Sequence, residues 1–244
     1  MQQIMEQALD LAPSLCDAEG LLGVPAAFRV FMDAAGTHAE RLGIGLAAMR
    51  ERALFWLTVR TRIVFHERPA MGETVTLRTW PEKPGALRCN RSYTLSRGEK
   101  TLLRARTEWA VLHTGTGALT PAAGLFPAEL AFDLPSACPE PFARIPDRFG
   151  DAEPFAEYRV RSTDIDVGGH MNNAAYLRAL FGAFPNAELA ALPIRTVDAH
   201  FRAACFEGET LRFFRRGEEG LLDLRAARDG QTALLVRIGL AAED

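Results

Sequence analysis

The sequence predicts an α+β protein made of two tandem β-α-β-β-β-β repeats, each a central helix wrapped by an antiparallel sheet. Three observations carry that prediction. In the first half, apolar residues fall at helical spacing over one segment and at two-residue spacing over the four that follow. A proline-dense stretch then interrupts the chain. Beyond it the same order of elements returns, with matching residues at matching places.

Pro25 to Leu42 reads as the first helix. Phe28, Phe31, Met32, Ala35, Ala39 and Leu42 share one face, Pro25 suits a first turn, and Gly43 is a stop. Leu54 to Phe65 changes period: Phe55, Leu57, Val59, Ile63 and Phe65 alternate with Trp56, Thr58, Arg60, Arg62 and Val64, a strand with one buried face. Glu73 to Trp80, Leu87 to Leu95 and Thr101 to His113 follow as strands, with turns at Pro69 to Gly72 and Ser96 to Gly98. Seven of the 14 prolines lie within residues 120–154, too dense for a helix or a central strand. That stretch reads as an ordered crossover between a domain at 1–119 and a second at 155–244. Its Leu125, Phe126, Leu130, Phe132 and Phe142 are apolar enough to pack on the body.

In the second half, Phe155 to Thr163 reads as a strand and Ala174 to Phe184 as a helix. Strands at 194–206, 209–216, 220–228 and 231–241 complete the copy. Ala26 to Arg29 matches Ala174 to Leu177 at an offset of 148, and Gly72-Glu73-Thr74 matches Gly208-Glu209-Thr210 at an offset of 136. A duplicated unit with one wrapped helix per copy is a double hotdog.

Composition bounds the function. A chain of 244 residues that is 48 % hydrophobic buries a full core, and a net charge of −3 provides no global field for nucleic acid. No apolar run approaches a membrane span, and the N-terminus lacks the basic and apolar regions of a signal peptide. Four scattered cysteines form no metal-ligand pattern, so free thiols in a reducing cytoplasm, without metal or organic cofactor, are expected.

Chemistry concentrates between Asp166 and Asn173. An acid, a glycine pair, a histidine and an asparagine pair stand directly before a helix. The helix start supplies free N–H groups and a positive dipole end, an oxyanion site that Asn172 or Asn173 caps. Gly168 and Gly169 let the backbone approach a carbonyl. Asp166 then serves as general base or nucleophile, and His170 orients water or moves a proton. The first copy's counterpart, Cys16 to Leu22, keeps an acid and a glycine but no histidine and no asparagine pair. One copy therefore carries chemistry and the other supplies pocket walls.

The stretch Asp164-Ile165-Asp166-Val167-Gly168-Gly169-His170-Met171-Asn172-Asn173 closely resembles the DxDxNxHxNN signature of acyl-ACP thioesterases. It is also similar to the D-x-x-G-H-x-N-N loop of hotdog acyl-CoA thioesterases. The first half resembles the acyl-ACP family independently: His38 with Leu42-Gly43, Trp56-Leu57 with Arg60 and Ile63, Pro69 before Gly72-Glu73, Thr79-Trp80-Pro81, Arg91, Gly98 and Trp109. The resemblance implies a double-hotdog hydrolase that releases fatty acids from acyl carrier protein, with a CoA thioester as the alternative substrate. It also implies two departures. The family's Asn is Gly168 here, and its Glu, a carboxylate that helps activate water, is Ala204. A non-catalytic binder of acyl thioesters is the rival expectation. On the strand at 194–206 His200 shares a face with position 204 but lies about 13 Å away, too far to substitute directly, and Glu207 faces the site only through a bulge. Cys205 is expected to be buried rather than nucleophilic.

An acyl chain requires an apolar tunnel, expected along Phe28, Phe31, Met32 and Ala35 of the first helix. An acidic carrier protein calls for a basic patch, for which Arg88, Arg91, Arg97, Lys100, Arg104 and Arg106 are candidates. A monomer or a homodimer fits equally.

Overall fold

The computed structural model describes residues 3–150 and 152–241. The chain divides after Glu140 into two compact units, so the proline-dense segment is shared between them.

In the first unit, β1 (Met5–Asp10) leads to α1 (Val24–Arg41), the short α2 (Leu46–Glu51), β2 (Leu54–Phe65), β3 (Thr74–Pro81), β4 (Cys89–Arg97) and β5 (Lys100–His113). The two-residue β6 (Leu119–Thr120) pairs with β5. The strands lie in the order β1-β3-β4-β5-β2, all neighbours antiparallel. α1 buries Ala27, Phe28, Phe31, Ala34 and Ala35, with the Phe31 ring 5.1 Å from that of Tyr93 on β4. Each such buried phenyl ring contributes about 1.5–3 kcal/mol.

β2 corrects the simple alternation expected of it. A bulge lies between Thr58 and Arg60, and an extra residue turns every later side chain to the other face. One alternation buries Leu54 and Thr58 before the bulge and Thr61, Ile63 and Phe65 after it; Val64 is buried as well, while Leu57 is 37 % exposed.

Residues 120–140 have no long element, yet Phe126 and Leu130 are buried with Leu42, Ile44, Met49 and Val111, and Leu125 and Phe132 pack on that cluster. The segment is clamped at its end by Arg104, whose guanidinium donates to both Glu140 carboxylate oxygens at 3.0 and 2.5 Å. Burial works to raise the Glu140 carboxyl, but the hydrogen bonds from Arg104, its own backbone N–H and the Cys138 thiol together hold the group down at about 2.

The second unit contains β7 (Ala156–Arg159), α3 (Asn173–Phe181), α4 (Asn186–Ala191), β8 (Ile194–Phe201), β9 (Thr210–Glu218), β10 (Leu221–Arg228) and β11 (Gln231–Leu240). Its strands run β8-β11-β10-β9-β7, again antiparallel. α3 buries Tyr176, Leu177, Leu180 and Phe181, with Tyr176 packed 6.2 Å from Phe201 on β8. Asp223, buried on β10, is answered by the fork of Arg237 with two bonds of 2.7 Å.

The duplication holds at the level of single hydrogen bonds. Gly72 and Gly208 have φ of +84° and +86°, and their N–H groups donate to Leu11 O and Val160 O, both at 2.9 Å. Glu73 and Glu209 each accept a backbone N–H from three residues back, Ala70 and Phe206, and each is paired with an arginine of its own sheet, Arg97 and Arg228. The glycines, the glutamates and the residues whose amides the glutamates accept share the offset of 136. The helix N-caps are Gly23 and Asn172, an offset of 149. The helical correspondence is thus one residue from the 148 that side-chain types imply.

Candidate active site

The stretch between β7 and α3 is a tight loop closed on itself. After a 3-10 turn at Ser162–Asp164, Ile165 and Met171 form an antiparallel bridge. Asp166 N–H donates to His170 O at 3.0 Å, and Gly169 N–H to Asp166 O at 3.0 Å. Gly169 has φ +79°, a conformation glycine enters without a Cβ penalty. The Asp166 carboxylate folds back to accept Gly168 N–H at 2.7 Å through Oδ1. His170 Nδ1 lies 3.8 Å from the same Oδ1, an ion-pair separation rather than a hydrogen bond. Both side chains are about a quarter exposed, at 24 % and 28 %, so they are reachable from solvent.

Beneath the loop, Asp164 is the buried anchor. It is 1 % exposed and accepts Tyr158 Oη at 2.7 Å, Arg161 N–H at 2.9 Å and Arg178 Nη2 at 2.5 Å. Its backbone oxygen accepts Asn172 N–H at 2.8 Å, tying the loop to the helix start. The family-like pattern of two aspartates therefore separates into a structural acid, Asp164, and a solvent-facing one, Asp166.

The helix start is less open than its four N–H groups promise. Asn172 is the cap: its Oδ1 accepts Ala174 N–H at 2.8 Å, and its backbone oxygen accepts from Ala175 and Tyr176 at 2.9 and 3.2 Å. Among the described residues this leaves Asn173 N–H as the unengaged donor of the first turn. The oxyanion site reduces from a set of amides to one backbone N–H beside the Asn173 side chain.

The first unit has the same loop without the chemistry. Asp17 N–H donates to Leu21 O, Gly20 N–H donates to Asp17 O, Cys16 bridges Leu22, and Asp17 Oδ1 takes Glu19 N–H at 3.0 Å. Gly20 has φ +71°. There, however, Arg68 donates to Asp17 Oδ2 and neutralises the acid. The loop contact Leu22 N–H to Pro69 O recurs as Met171 N–H to Cys205 O at 2.7 Å, which sets position 204 opposite position 68. Ala204 thus stands where the first copy carries the arginine that reaches its turn acid. In this copy the counterpart of Arg68 bears only a methyl group.

The expected extended facing of 200–204 is corrected. β8 ends at Phe201, and Arg202 and Ala203 both donate N–H to Ala233 O, so the chain leaves the ladder before position 204. Strand periodicity no longer relates His200 to that position. His200 is buried on β8 opposite Leu235, Glu207 is exposed in the turn that follows, and among the described residues neither forms a hydrogen bond or ion pair with Asp166. Cys205 is fully buried, and burial pushes its thiol up, against reactivity as a nucleophile.

The first unit holds a cavity of about 250 Å3 bounded by α1, the start of α2, and β2, β4 and β5. Met32 and Ala35 line it, as do Trp56, Trp109 and Phe126. Phe28 and Phe31, also expected there, are each 1 % exposed and do not line it: they belong to the core against the sheet. Asn90 and Arg91 of β4 reach the cavity wall, a role the sequence pattern did not mark. The basic cluster expected to dock a carrier is largely answered within the unit: Arg97 and Lys100 pair with Glu67, Arg104 with Glu140, Arg88 lies 3.8 Å from Glu108, and Arg91 is buried.

Comparison with known proteins accounts for both units. Residues 3–120 match the acyl-ACP thioesterase N-terminal domain and residues 150–236 the acyl-ACP thioesterase C-terminal domain. The chain is 25 % identical over 192 residues to oleoyl-acyl carrier protein thioesterase 1 of Arabidopsis thaliana, covering 71 % of this chain and 53 % of that protein. It is 23 % identical over 193 residues to the oleoyl-acyl carrier protein thioesterase of Coriandrum sativum, covering 72 % and 52 %. It spans about half the length of these plant proteins, both chloroplastic. The acyl-ACP thioesterase of Bacteroides thetaiotaomicron superposes with a TM-score of 0.86 at 22 % identity over 98 % of both chains. The 12:0-ACP thioesterase of Umbellularia californica superposes with 0.82 at 18 % over 100 % of this chain and 99 % of that one. The fold is the double hotdog of these neighbours, and with both domain models matched in order along its length the chain belongs to the acyl-ACP thioesterase family.

Proposed function

We propose that the chain hydrolyses fatty acyl thioesters, acyl-ACP foremost, and releases the free fatty acid. One observation carries the reading: Asp166, His170 and the open Asn173 N–H stand together at the start of α3, in a loop whose twin in the first unit has its acid neutralised by Arg68. A merely structural turn has no reason to lose that arginine in one copy and gain a histidine in the same copy.

The chemistry follows from the atoms. Gly168 N–H fixes Asp166 Oδ1, which leaves Oδ2 to face the reacting group. As a base, Asp166 takes a proton from water while the water oxygen bonds to the thioester carbonyl carbon. As a nucleophile, it bonds to that carbon itself, and water later cleaves the acyl-carboxylate anhydride. In both courses the carbonyl oxygen gains negative charge, which the Asn173 N–H at the positive end of α3 stabilises. The C–S bond then breaks, the thiol leaves with a proton, and His170 moves or orients the protons involved. The compartment we propose is a reducing one, in keeping with four unpaired cysteines.

The acyl chain occupies the first unit's cavity, whose wall is aliphatic and aromatic along Met32, Ala35, Trp56 and Trp109. Ala35→Phe adds a ring to that wall and will shift the released fatty acids toward shorter chains. An unchanged product profile by gas chromatography contradicts the cavity assignment.

A second reading has its own observation: with only a methyl group at Ala204, the chain binds acyl thioesters without cutting them. Ala204→Arg separates the two. It recreates the first copy's ion pair at Asp166, where the guanidinium neutralises the carboxylate and weakens it as a base. A hydrolase will lose about tenfold or more in rate and keep its fold. A binder shows no hydrolysis above background in either form.

A further inference from the structure

Arg91 is a buried cation with no carboxylate partner among the described residues. It is 6 % exposed on β4 and stands in the wall of the acyl cavity. Three other arginines of that unit have acids: Arg60 meets Glu108, Arg97 meets Glu67 and Glu73, and Arg104 meets Glu140. Among the described residues Arg91 has no carboxylate at ion-pair distance. Nη1 alone is engaged, donating to His38 Nδ1 at 3.0 Å and to Thr79 Oγ1 at 3.3 Å. Because a guanidinium only donates, His38 accepts through Nδ1 and carries its own proton on Nε2. Nε and Nη2 form no hydrogen bond with any described residue.

Removing a guanidinium from water without an anion or a full set of acceptors is costly, and arginine does not escape by losing its proton. A plain alkyl chain worsens matters, since it displaces water from the two idle donors and offers nothing in return. Glu40, the carboxylate in the cavity wall, is committed elsewhere: its Oε1 accepts Leu46 N–H at 2.7 Å. His38 and Thr79 meanwhile hold one corner of the guanidinium, fixing the direction of its other donors. Everything at this point is arranged for an acceptor that the protein itself does not supply.

We propose that the cavity selects an acyl chain bearing an oxygen acceptor, as a hydroxyl, oxo or terminal carboxylate group, and that Arg91 donates to that oxygen through Nε and Nη2. Arg91 is then a specificity-determining residue, and the preferred substrate class is oxygenated rather than plain acyl thioesters. The proposal deepens the hydrolase reading and rests on it for the thioester; the binding itself is measurable without turnover.

Trp56 and Trp109 line the same cavity, so tryptophan fluorescence of the full chain reports occupancy directly. The probes are non-hydrolysable amide analogues of one medium-chain acyl N-acetylcysteamine thioester. They are unsubstituted, or carry a hydroxyl or oxo group at successive carbons, or end in a carboxylate. At least one oxygenated probe will bind the wild type about tenfold tighter than the plain one, about 1.4 kcal/mol. Arg91→Met will lose that gain while binding the plain chain as well as before or better. Tighter binding of the carboxylate probe marks charge pairing, and of the hydroxyl or oxo probe a neutral hydrogen bond. Should Arg91→Met not fold, Arg91→Lys, which keeps the charge but not the fork, must shrink the gain. Equal binding of all probes by the wild type, or a gain that survives Arg91→Met or is undiminished in Arg91→Lys, overturns the proposal while leaving the hydrolase reading intact. Failure of every probe to bind overturns it together with the acyl-cavity assignment.

Discussion

Asp166→Asn will lower thioester hydrolysis by about 10²–10⁴-fold, the range a positioned acid or base contributes, with the melting temperature unchanged. The two halves of that expectation have separate origins. The loop needs only an acceptor at Oδ1 for Gly168 N–H, and an asparagine oxygen serves there equally well. Closure of the loop otherwise depends on backbone bonds, Asp166 N–H to His170 O and Gly169 N–H to Asp166 O, which the substitution does not touch. What disappears is the negative charge and the basicity of the side chain, and no nearby acid replaces them: Glu207 is exposed in its turn and Glu209 is held by Phe206 N–H and Arg228. Steady-state rates beside a thermal melt decide it. Equal activity in the two forms moves the chemistry away from this loop.

Asp164→Ala will do the reverse first, destabilising the protein by about 3 kcal/mol, as expected when a buried charge-assisted network loses its centre. The side chain is fully buried and answers three donors at once, Tyr158 Oη, Arg161 N–H and Arg178 Nη2. Arg178 is 62 % exposed and regains water when the acid goes, which moderates the loss. Tyr158 and the Arg161 amide have less recourse. Urea unfolding should show a lower midpoint at an unchanged slope. A stability within about 0.5 kcal/mol of wild type, the span of ordinary surface changes, would deny Asp164 its anchoring role. The contrast between the two aspartates, one costing rate and one costing stability, is the signature of the site.

Much of this was legible in the sequence because it rests on periodicity and on turn chemistry. The helix at 25–42 and the strand at 54–65 fall at Val24–Arg41 and Leu54–Phe65, since their apolar spacing is long enough to exclude other periods. The duplicated Gly-Glu-Thr marks a shared turn in which the glycine needs positive φ and the glutamate caps an amide. What escaped has physical reasons. The bulge after Thr58 leaves no mark in a run where every residue is compatible with a strand. β1 has six residues alternating with charged and polar ones, too short to stand out before its pairing with β3 is known. The departure of the chain from β8 at Phe201 is set by Ala233 O, a partner distant in sequence. At the helix start, counting free amides overestimates the site, because the Asn172 cap and backbone consume all but the Asn173 N–H. The largest miss is Arg91. Sequence pattern places it in a docking surface because charged residues are expected outside, and only the fold reveals it as a buried cation in a cavity wall.

Under the proposed function, the second unit's loop cleaves acyl thioesters despite Gly168 and Ala204. The direct measurement is thiol release from a panel of acyl-ACP and acyl-CoA thioesters by the wild-type chain, with the fate of the acyl group followed by mass spectrometry. Free thiol and free fatty acid are expected in equal amounts, at rates well above the Asp166→Asn background. Thioester recovered intact, bound to the protein but uncut across the whole panel, would contradict it.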